Sequence, residues 1–273
     1  NAEAVMCDIS KYRVSVTFAV PSMLLFMSQH PDFAKADLSS LRTIAVGGAP
    51  MPVPLLQLYA DRHIPVNQGF GMTETTATVS LLVPERGIDK QGSCGTPALL
   101  TEVRLTDYEG RPITQAHVKG ELCIRGGNVM KGYWNRPDVT SNSFDEEGWF
   151  HSGDVAYVDE DGFYFICDRL KDMVISGGEN VYPAEVESVL YRHPAVAEAA
   201  VIGAPDERWG ERVVAIVALR PGTSLTLDEL QDFARQGLAG YKIPRELRVV
   251  DALPRNPTGK VLKSQLREKN SAV

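Results

Sequence analysis

One stretch constrains the chain more than any other: Asp168 to Glu185. Charges crowd its first five residues, Asp168-Arg169-Leu170-Lys171-Asp172, and Met173–Ile175 follow as a short apolar run. Ser176-Gly177-Gly178 then gives a backbone able to adopt dihedrals that other residues avoid. Tyr182-Pro183 opens a helix, with proline tolerated at its first position. The composition changes across this stretch. Before it lies a long region rich in Gly, Thr, Asp and aromatic turns, and after it about a hundred residues of compact helix–strand alternation. A charged pivot followed by glycines is what a hinge between two domains needs. Taken by itself, the stretch reads equally well as an ordinary surface loop.

Upstream, Val14–Val20 is rich in β-branched residues and ends at Pro21, which predicts a strand. Ser22 can cap a short buried helix through Met23–Met27. Leu41–Gly47 reads as a second buried strand, running into Gly47-Gly48-Ala49-Pro50 and a helix through Leu55–Ala60. Strand, glycine turn and helix point to a parallel α/β layer, in which ligands sit beyond the carboxyl ends of the strands. Ile64–Val66 is a third short strand, leading into Gln68-Gly69-Phe70-Gly71-Met72-Thr73-Glu74-Thr75. Gly69 and Gly71 suggest a dinucleotide fingerprint, but Glu74 stands where its third glycine belongs, so the Rossmann reading fails. The segment offers instead an aromatic face that can stack on a base, a hydroxyl (Thr73) for phosphate oxygens, and a carboxylate (Glu74) for a hard cation such as Mg²⁺.

From Gly92 to Cys167 short alternating runs, such as Glu102–Leu105, Gly120–Ile124 and Phe163–Cys167, are separated by Glu109-Gly110, Gly126-Gly127 and Asp161-Gly162. This is the signature of an antiparallel β subdomain. Within it, Trp149-Phe150-His151-Ser152-Gly153-Asp154 places one carboxylate after a glycine turn, either to accept both hydroxyls of a ribose or to close a hairpin as an Asx turn. Beyond the hinge, Ala184–Tyr191 has helical spacing, Ala199–Ile202 and Val213–Leu219 are buried strands, and Thr226 with Glu229 forms a capping box. Leu247–Val250 and Val261–Glu268 complete a small α/β domain, with Asn270–Val273 expected to be disordered. Pro254-Arg255-Asn256-Pro257-Thr258-Gly259-Lys260 resembles a P-loop only in its Gly-Lys; it is a stiff loop presenting one lysine.

The bulk numbers exclude several classes. A formal charge of −7 argues against a nucleic-acid binder. Cys7, Cys94, Cys123 and Cys167 form no CxxC pair and read as free thiols of a reducing cytoplasm. No run is long enough for a membrane span, and no signal-peptide pattern is present. GxSxG and HExxH are absent, and His30, His63, His117, His151 and His193 lack the paired spacing of a zinc site.

In their order along the whole chain, these motifs resemble the adenylate-forming enzymes: acyl-CoA synthetases, firefly-type luciferases and peptide-synthetase adenylation domains. The resemblance implies a mixed α/β and α+β fold. Residues 1–168 would be the C-terminal part of the large AMP-binding domain, with an α/β layer at 1–90 and a β subdomain at 91–168. Residues 169–182 would be the hinge, and 183–273 a small mobile α/β domain.

The resemblance further implies ATP, Mg²⁺ and coenzyme A as ligands and a carboxylic acid as substrate. Gly48 and Ala49, with Gln68, Gly69 and Phe70, would frame the nucleotide; Phe70 replaces the usual Tyr and keeps the stacking face. Thr73 would orient phosphate, Glu74 hold Mg²⁺, and Asp154 with Arg169 fix the ribose. Lys260 would bridge the substrate carboxylate and the α-phosphate. Rotation about Lys171 would then bring Gly177 and Gly178 to the thiol, with Tyr241 and Lys242 near the coenzyme A nucleotide. Phe18, Gly47 and Thr75 would line a pocket for a fatty or other apolar acid. The family's Ser/Thr/Gly-rich phosphate loop occurs nowhere in the 273 residues. The chain is therefore expected to be a C-terminal portion with little activity of its own, its exposed face covered by self-association as a homodimer. A carrier-loading adenylation domain and a non-catalytic fragment are the alternatives.

Overall fold

The computed structural model describes residues 1–49, 51–87, 89–257 and 259–271. The positions at Pro50 and Thr258, and the end of the tail expected to be disordered, lie outside the described residues. The chain divides into two compact units, Asn1–Ile166 and Cys167–Val273.

The first unit opens with α1 (Ala2–Tyr12), which the sequence reading did not foresee, and continues through β1 (Val16–Ala19), α2 (Pro21–Gln29), β2 (Thr43–Val46), α3 (Val53–Ala60) and β3 (Val66–Phe70). β1, β2 and β3 pair in parallel, Ala19 opposite Val46 and Val46 opposite Gln68. Two short strands extend this sheet, β4 (Ser80–Leu81) pairing antiparallel with β3 and β5 (Thr96–Pro97) antiparallel with β4. α2 is capped without the Ser22 hydroxyl: Val20 is the N-cap and Pro21 the first helical residue. There the missing N–H costs nothing, because a first-turn amide has no intrahelical acceptor. Leu24, Met27, Ile44, Val46, Leu56 and Tyr59 fill the core between sheet and helices. Tyr59 is fully buried, its hydroxyl donating to Leu24 O at 2.8 Å.

A second, antiparallel sheet follows, ordered β10-β9-β8-β6-β7. Its strands are β6 (Thr101–Thr106), β7 (Pro112–Ile113), β8 (Gly120–Gly126), β9 (Phe150–Val158) and β10 (Tyr164–Arg169), with the short helix α4 (Pro137–Asn142) before β9. Leu105, Leu122, Ile124, Phe150 and Ala156 face a shared core. Glu121, Cys123 and Arg125 alternate to the opposite face, as strand period two requires.

The second unit is built on β13 (Val196–Asp206) and β14 (Gly210–Leu219), an antiparallel hairpin. β11 (Val174–Ser176) and β12 (Glu179–Val181) flank it, and β15 (Glu246–Val249) pairs parallel to β14. Ser176 pairs with Glu179, so Gly177 and Gly178 form a two-residue turn with φ of 64° and 85°. Positive φ at both positions is the hairpin turn that matches strand twist. Both faces of β13–β14 are covered. Ala199, Val201, Val213 and Val217 pack with Val186 and Leu190 of α5 (Pro183–Leu190) and Leu230 of α6 (Leu227–Ala234). Ala200, Ile202, Val214 and Ile216 pack with Leu266 of α7 (Lys263–Ser271). That double burial explains why these strands read as continuous apolar runs.

Charge is buried here too. Lys263 Nζ lies 2.8 Å from Glu187 Oε1, and Arg267 pairs with Asp172 at 2.5 Å, tying α7 to the charged stretch. Burial pulls the Lys263 pKa down, but Glu187 and Asp168 outweigh it and hold the ammonium above its usual value. Burial likewise raises the Asp168 carboxyl, which accepts Ala184 N–H at 2.8 Å. Lys263→Met strands both carboxylates and is expected to destabilise the second unit by about 3 kcal/mol. Thr226→Ala, which removes only the α6 cap, is expected to cost about 1 kcal/mol. Urea unfolding followed by circular dichroism checks the ranking; a Lys263→Met loss no larger than the cap's would contradict it.

Candidate active site

Adjacent parallel strands end at the same edge of their sheet, so the residues after β2 and β3 emerge side by side. Gly47 and Gly48 follow Val46, and Gly71–Glu74 follow Phe70. A Cβ built on Gly47 would lie 3.4 Å from the Phe18 ring and 3.7 Å from Gly69 O. Phe18, Gly47 and Gly69 are therefore brought into contact. Gly48 has φ of 86°, and a Cβ there would meet the Val20 side chain at an ordinary 3.7 Å. Gln68 is buried, and its Oε1 accepts from Met51 N–H at 3.0 Å. It ties the loop after β2 to β3, so its contribution is to the loop's shape. Phe70 is half-buried against the core of the second sheet.

Thr73–Thr75 form a 3₁₀ turn. Thr73 is exposed, whereas Thr75 is fully buried and donates its hydroxyl to Met72 O at 3.1 Å. The Gly126–Tyr133 segment grips this turn. Asn128 Nδ2 donates to Thr78 O at 2.9 Å, Met130 N–H to Glu74 O at 2.8 Å, and the Tyr133 hydroxyl to Glu74 Oε1 at 3.0 Å. Tyr133 is a positioning contact that sequence reasoning missed, because 59 residues separate it from Glu74. A partly exposed carboxylate steadied by one hydrogen bond fits a hard cation.

Asp154 lies within β9 and is buried, with 4% of its surface exposed. Ser152 Oγ accepts its N–H at 3.0 Å. Nearby, donor atoms of Glu121, Cys123 and His151 lie within 4.8 Å of one another, a grouping the spacing of the histidines did not suggest. Its chemistry is that of a hydrogen-bond network. Both Glu121 oxygens are occupied, one 2.8 Å from His151 Nδ1 and the other accepting Gly153 N–H at 3.0 Å. Burial pushes the Cys123 thiol up to about 11, far from the thiolate a metal requires.

In the second unit, Lys260 is exposed on a braced loop. Arg255 and Val261 pair across it, and Lys260 N–H donates to Asn256 Oδ1 at 2.8 Å. The Arg255 guanidinium donates to Gly259 O at 2.7 Å and ion-pairs with Glu198 of β13. Lys171 is exposed in the 3₁₀ turn Leu170–Asp172, directly after Arg169. The Gly177–Gly178 turn packs on Trp209. Gly177 N–H donates to Trp209 O at 2.8 Å, and a Cβ on Gly177 would lie 2.8 Å from the indole. The Arg208 and Arg245 guanidinium groups stack over the same ring at 4.8 and 4.5 Å. A cavity of about 270 Å³ beside Arg245 is also lined by Gln231, Arg235, Gly240 and Ile243. Lys242, in the turn Gly240–Lys242, has its charge engaged 2.5 Å from Glu185. Trp209 and Arg245 carried no sequence signal, because an isolated Trp or Arg has none without its neighbours.

Comparison with known proteins gives two family matches: AMP-binding enzyme over residues 1–134, and AMP-binding enzyme C-terminal domain over residues 185–260. Feruloyl-CoA synthase from an Amycolatopsis species is 47% identical over 266 residues, covering 97% of this chain and 54% of that protein. A long-chain-fatty-acid–CoA ligase of Mycobacterium tuberculosis is 44% identical over all 273 residues, again 54% of its own length. Among solved structures, the o-succinylbenzoate CoA synthetase of Bacillus subtilis, in complex with its acyl-adenylate intermediate, superimposes with a TM-score of 0.84 at 40% identity. That match covers 97% of this chain and 53% of the synthetase. The chain thus spans about half the length of the relatives it matches, and it belongs to the AMP-binding, adenylate-forming enzyme family.

Proposed function

We propose that this chain is the C-terminal half of the working parts of an ATP-dependent carboxylate–CoA ligase acting on an acid with a large apolar or aromatic body. The observation that carries the reading is that the Gly47–Ala49 bend and the Phe70–Glu74 segment both follow the paired ends of β2 and β3, where Val46 faces Gln68, with Glu74 held by Tyr133. A carboxylate is a poor acyl donor, because its leaving group would be oxide. Attack of a carboxylate oxygen on the α-phosphorus of ATP breaks the bond to pyrophosphate and gives an acyl adenylate. Attack of the coenzyme A thiolate on that carbonyl then releases AMP and leaves the thioester.

The first step brings two anions together, so positive charge and alignment dominate the barrier. Lys260, on its braced loop, supplies a cation to carboxylate and α-phosphate. Thr73 donates to phosphate oxygens. Gly48, Ala49, Gly69 and Phe70 frame the base, with Gln68 shaping the loop beside it, and Asp154 and Arg169 hold the ribose. Bound at Glu74, a Mg²⁺ ion would offset the charge of the triphosphate. Lys171 is the pivot between the two half-reactions, which take place in a reducing cytoplasm. The Gly177–Gly178 turn gives the pantetheine arm a side-chain-free passage. Tyr241 and Lys242, with the aromatic and cationic surface of Trp209 and Arg245, suit the coenzyme's nucleotide. Ferulate, long-chain fatty acids and o-succinylbenzoate, the acids of the relatives, share a carbon body that the Phe18–Gly47 surface would accept, with Thr75 behind it.

In the enzyme to which the chain belongs, Lys260→Ala is expected to slow pyrophosphate release with an apolar acid by about 10²-fold or more. Thioester formation from preformed acyl adenylate should change only a few-fold. Equal losses in both half-reactions would contradict the division of labour, and release with amino acids alone would move the protein to carrier loading. Tyr133→Phe removes one hydrogen bond to Glu74, worth about 1 kcal/mol. It is expected to raise the Mg²⁺ concentration for half-maximal rate roughly fivefold, with little effect at saturating Mg²⁺. An unchanged Mg²⁺ dependence would count against Glu74 as the metal ligand.

A further inference from the structure

β8 and β9 run out of step at one place. Glu121 faces Val155, but Cys123 already faces His151. Leu122 alone therefore stands opposite three residues, Ser152, Gly153 and Asp154. Extra residues in one strand bend it and re-aim a side chain. Here the residue at the end of the bulge is Asp154.

A bulge removes amides from the ladder, and buried amides need acceptors. Two side chains provide them. Ser152 Oγ accepts from Asp154 N–H, and Glu121 reaches across from β8 so that its Oε1 accepts from Gly153 N–H, each at 3.0 Å. Gly153 has φ of 70°, a region glycine enters at little cost. A Cβ there would meet nothing within 4 Å, so the dihedral, not crowding, is what the position demands. The Glu121 carboxylate is itself held: its second oxygen lies 2.8 Å from His151 Nδ1, which opposes rotation away from Gly153. Its side chain is only 18% exposed, so water competes weakly for the contact.

We propose that Glu121 is a positioning residue for the ribose site: by holding the Gly153 amide, it sets the direction in which Asp154 presents its carboxylate. The inference rests on the ribose role given to Asp154 above. Glu121 touches no ligand in this scheme. Its loss should therefore erase discrimination for the ribose hydroxyls, rather than weaken nucleotide binding in general.

The test is calorimetric titration of the chain with AMP and with 2′,3′-dideoxy-AMP, beside amide hydrogen exchange at Gly153. Hydrogen bonds to a buried carboxylate should make the wild type prefer AMP by roughly tenfold or more. Asp154→Asn should remove that preference. Glu121→Ala should reduce it to within about twofold of unity, with faster exchange at Gly153, while affinity for the dideoxy nucleotide is kept. Glu121→Gln, whose amide oxygen still accepts from Gly153, should retain the preference. If Glu121→Ala does not fold, Glu121→Asp keeps the charge but falls short of the amide, and it should lose the preference in the same way. A Glu121→Ala or Glu121→Asp variant that keeps full preference where Asp154→Asn has lost it overturns the inference and leaves the ribose reading intact. A wild type that binds both nucleotides equally, or neither, overturns the ribose reading and the inference with it.

Discussion

The first unit is organised around a steric constraint at the carboxyl ends of its parallel strands. β2 and β3 have to leave the sheet side by side, and little space is left for the segments beyond their ends. A side chain on Gly69 would reach 3.2 Å from Leu81, and one on Gly71 would overlap Ala77 O at 1.7 Å. Glycine is therefore forced at Gly71 by contact and at Gly48 by its φ of 86°. Because those positions carry no side chains, Phe70, Thr73 and Glu74 fit in a tight turn, gripped by Asn128, Met130 and Tyr133. The chemistry proposed for this edge, stacking on a base and holding phosphate and a hard cation, needs such a backbone-lined opening.

In the second unit, the exposed Lys260 stands on a braced loop. The loop carrying Lys260 is short, crossed by its own hydrogen bonds and clamped by Arg255 to Glu198. The helix after it is fastened to the charged stretch through Lys263 and Arg267. Ordering a lysine in advance lowers the entropy lost when it meets an anion, and this matters most where the cation's contribution is electrostatic.

Much of this architecture was legible in the sequence, for reasons that particular residues make clear. The β13–β14 hairpin read as strands because both of its faces are buried, leaving unbroken apolar runs at Ala199–Ile202 and Val213–Leu219. Its ends ran further than those runs, since Glu198 and Asp206 look like loop residues until their partners are known. β3 was harder. Ile64–Val66 marked its approach, but Asn67–Phe70 continue as strand because the buried Asn67 and Gln68 side chains find hydrogen-bond partners, Thr43 and Met51. The turn at Gly177–Gly178 announced itself through its glycines, whereas the strands on either side were too short to show a period. Contacts between distant positions left no local trace: Tyr133 with Glu74, Glu121 with Gly153, and Trp209 with Gly177 each join segments more than thirty residues apart. Only a folded backbone brings such pairs together.

Chemically, the proposed reaction turns on the oxygen that moves. If a carboxylate oxygen attacks the α-phosphorus, that oxygen must leave with AMP when the thiol takes the acyl group. The most direct test supplies the enzyme carrying this chain with ATP, coenzyme A and an apolar carboxylic acid labelled with oxygen-18 in its carboxylate. Mass spectrometry of the nucleotide product then locates the label. AMP carrying oxygen-18 in step with thioester formation is the result the account predicts. Unlabelled AMP, or ADP formed with the label in orthophosphate, would show a different activated acid and contradict it.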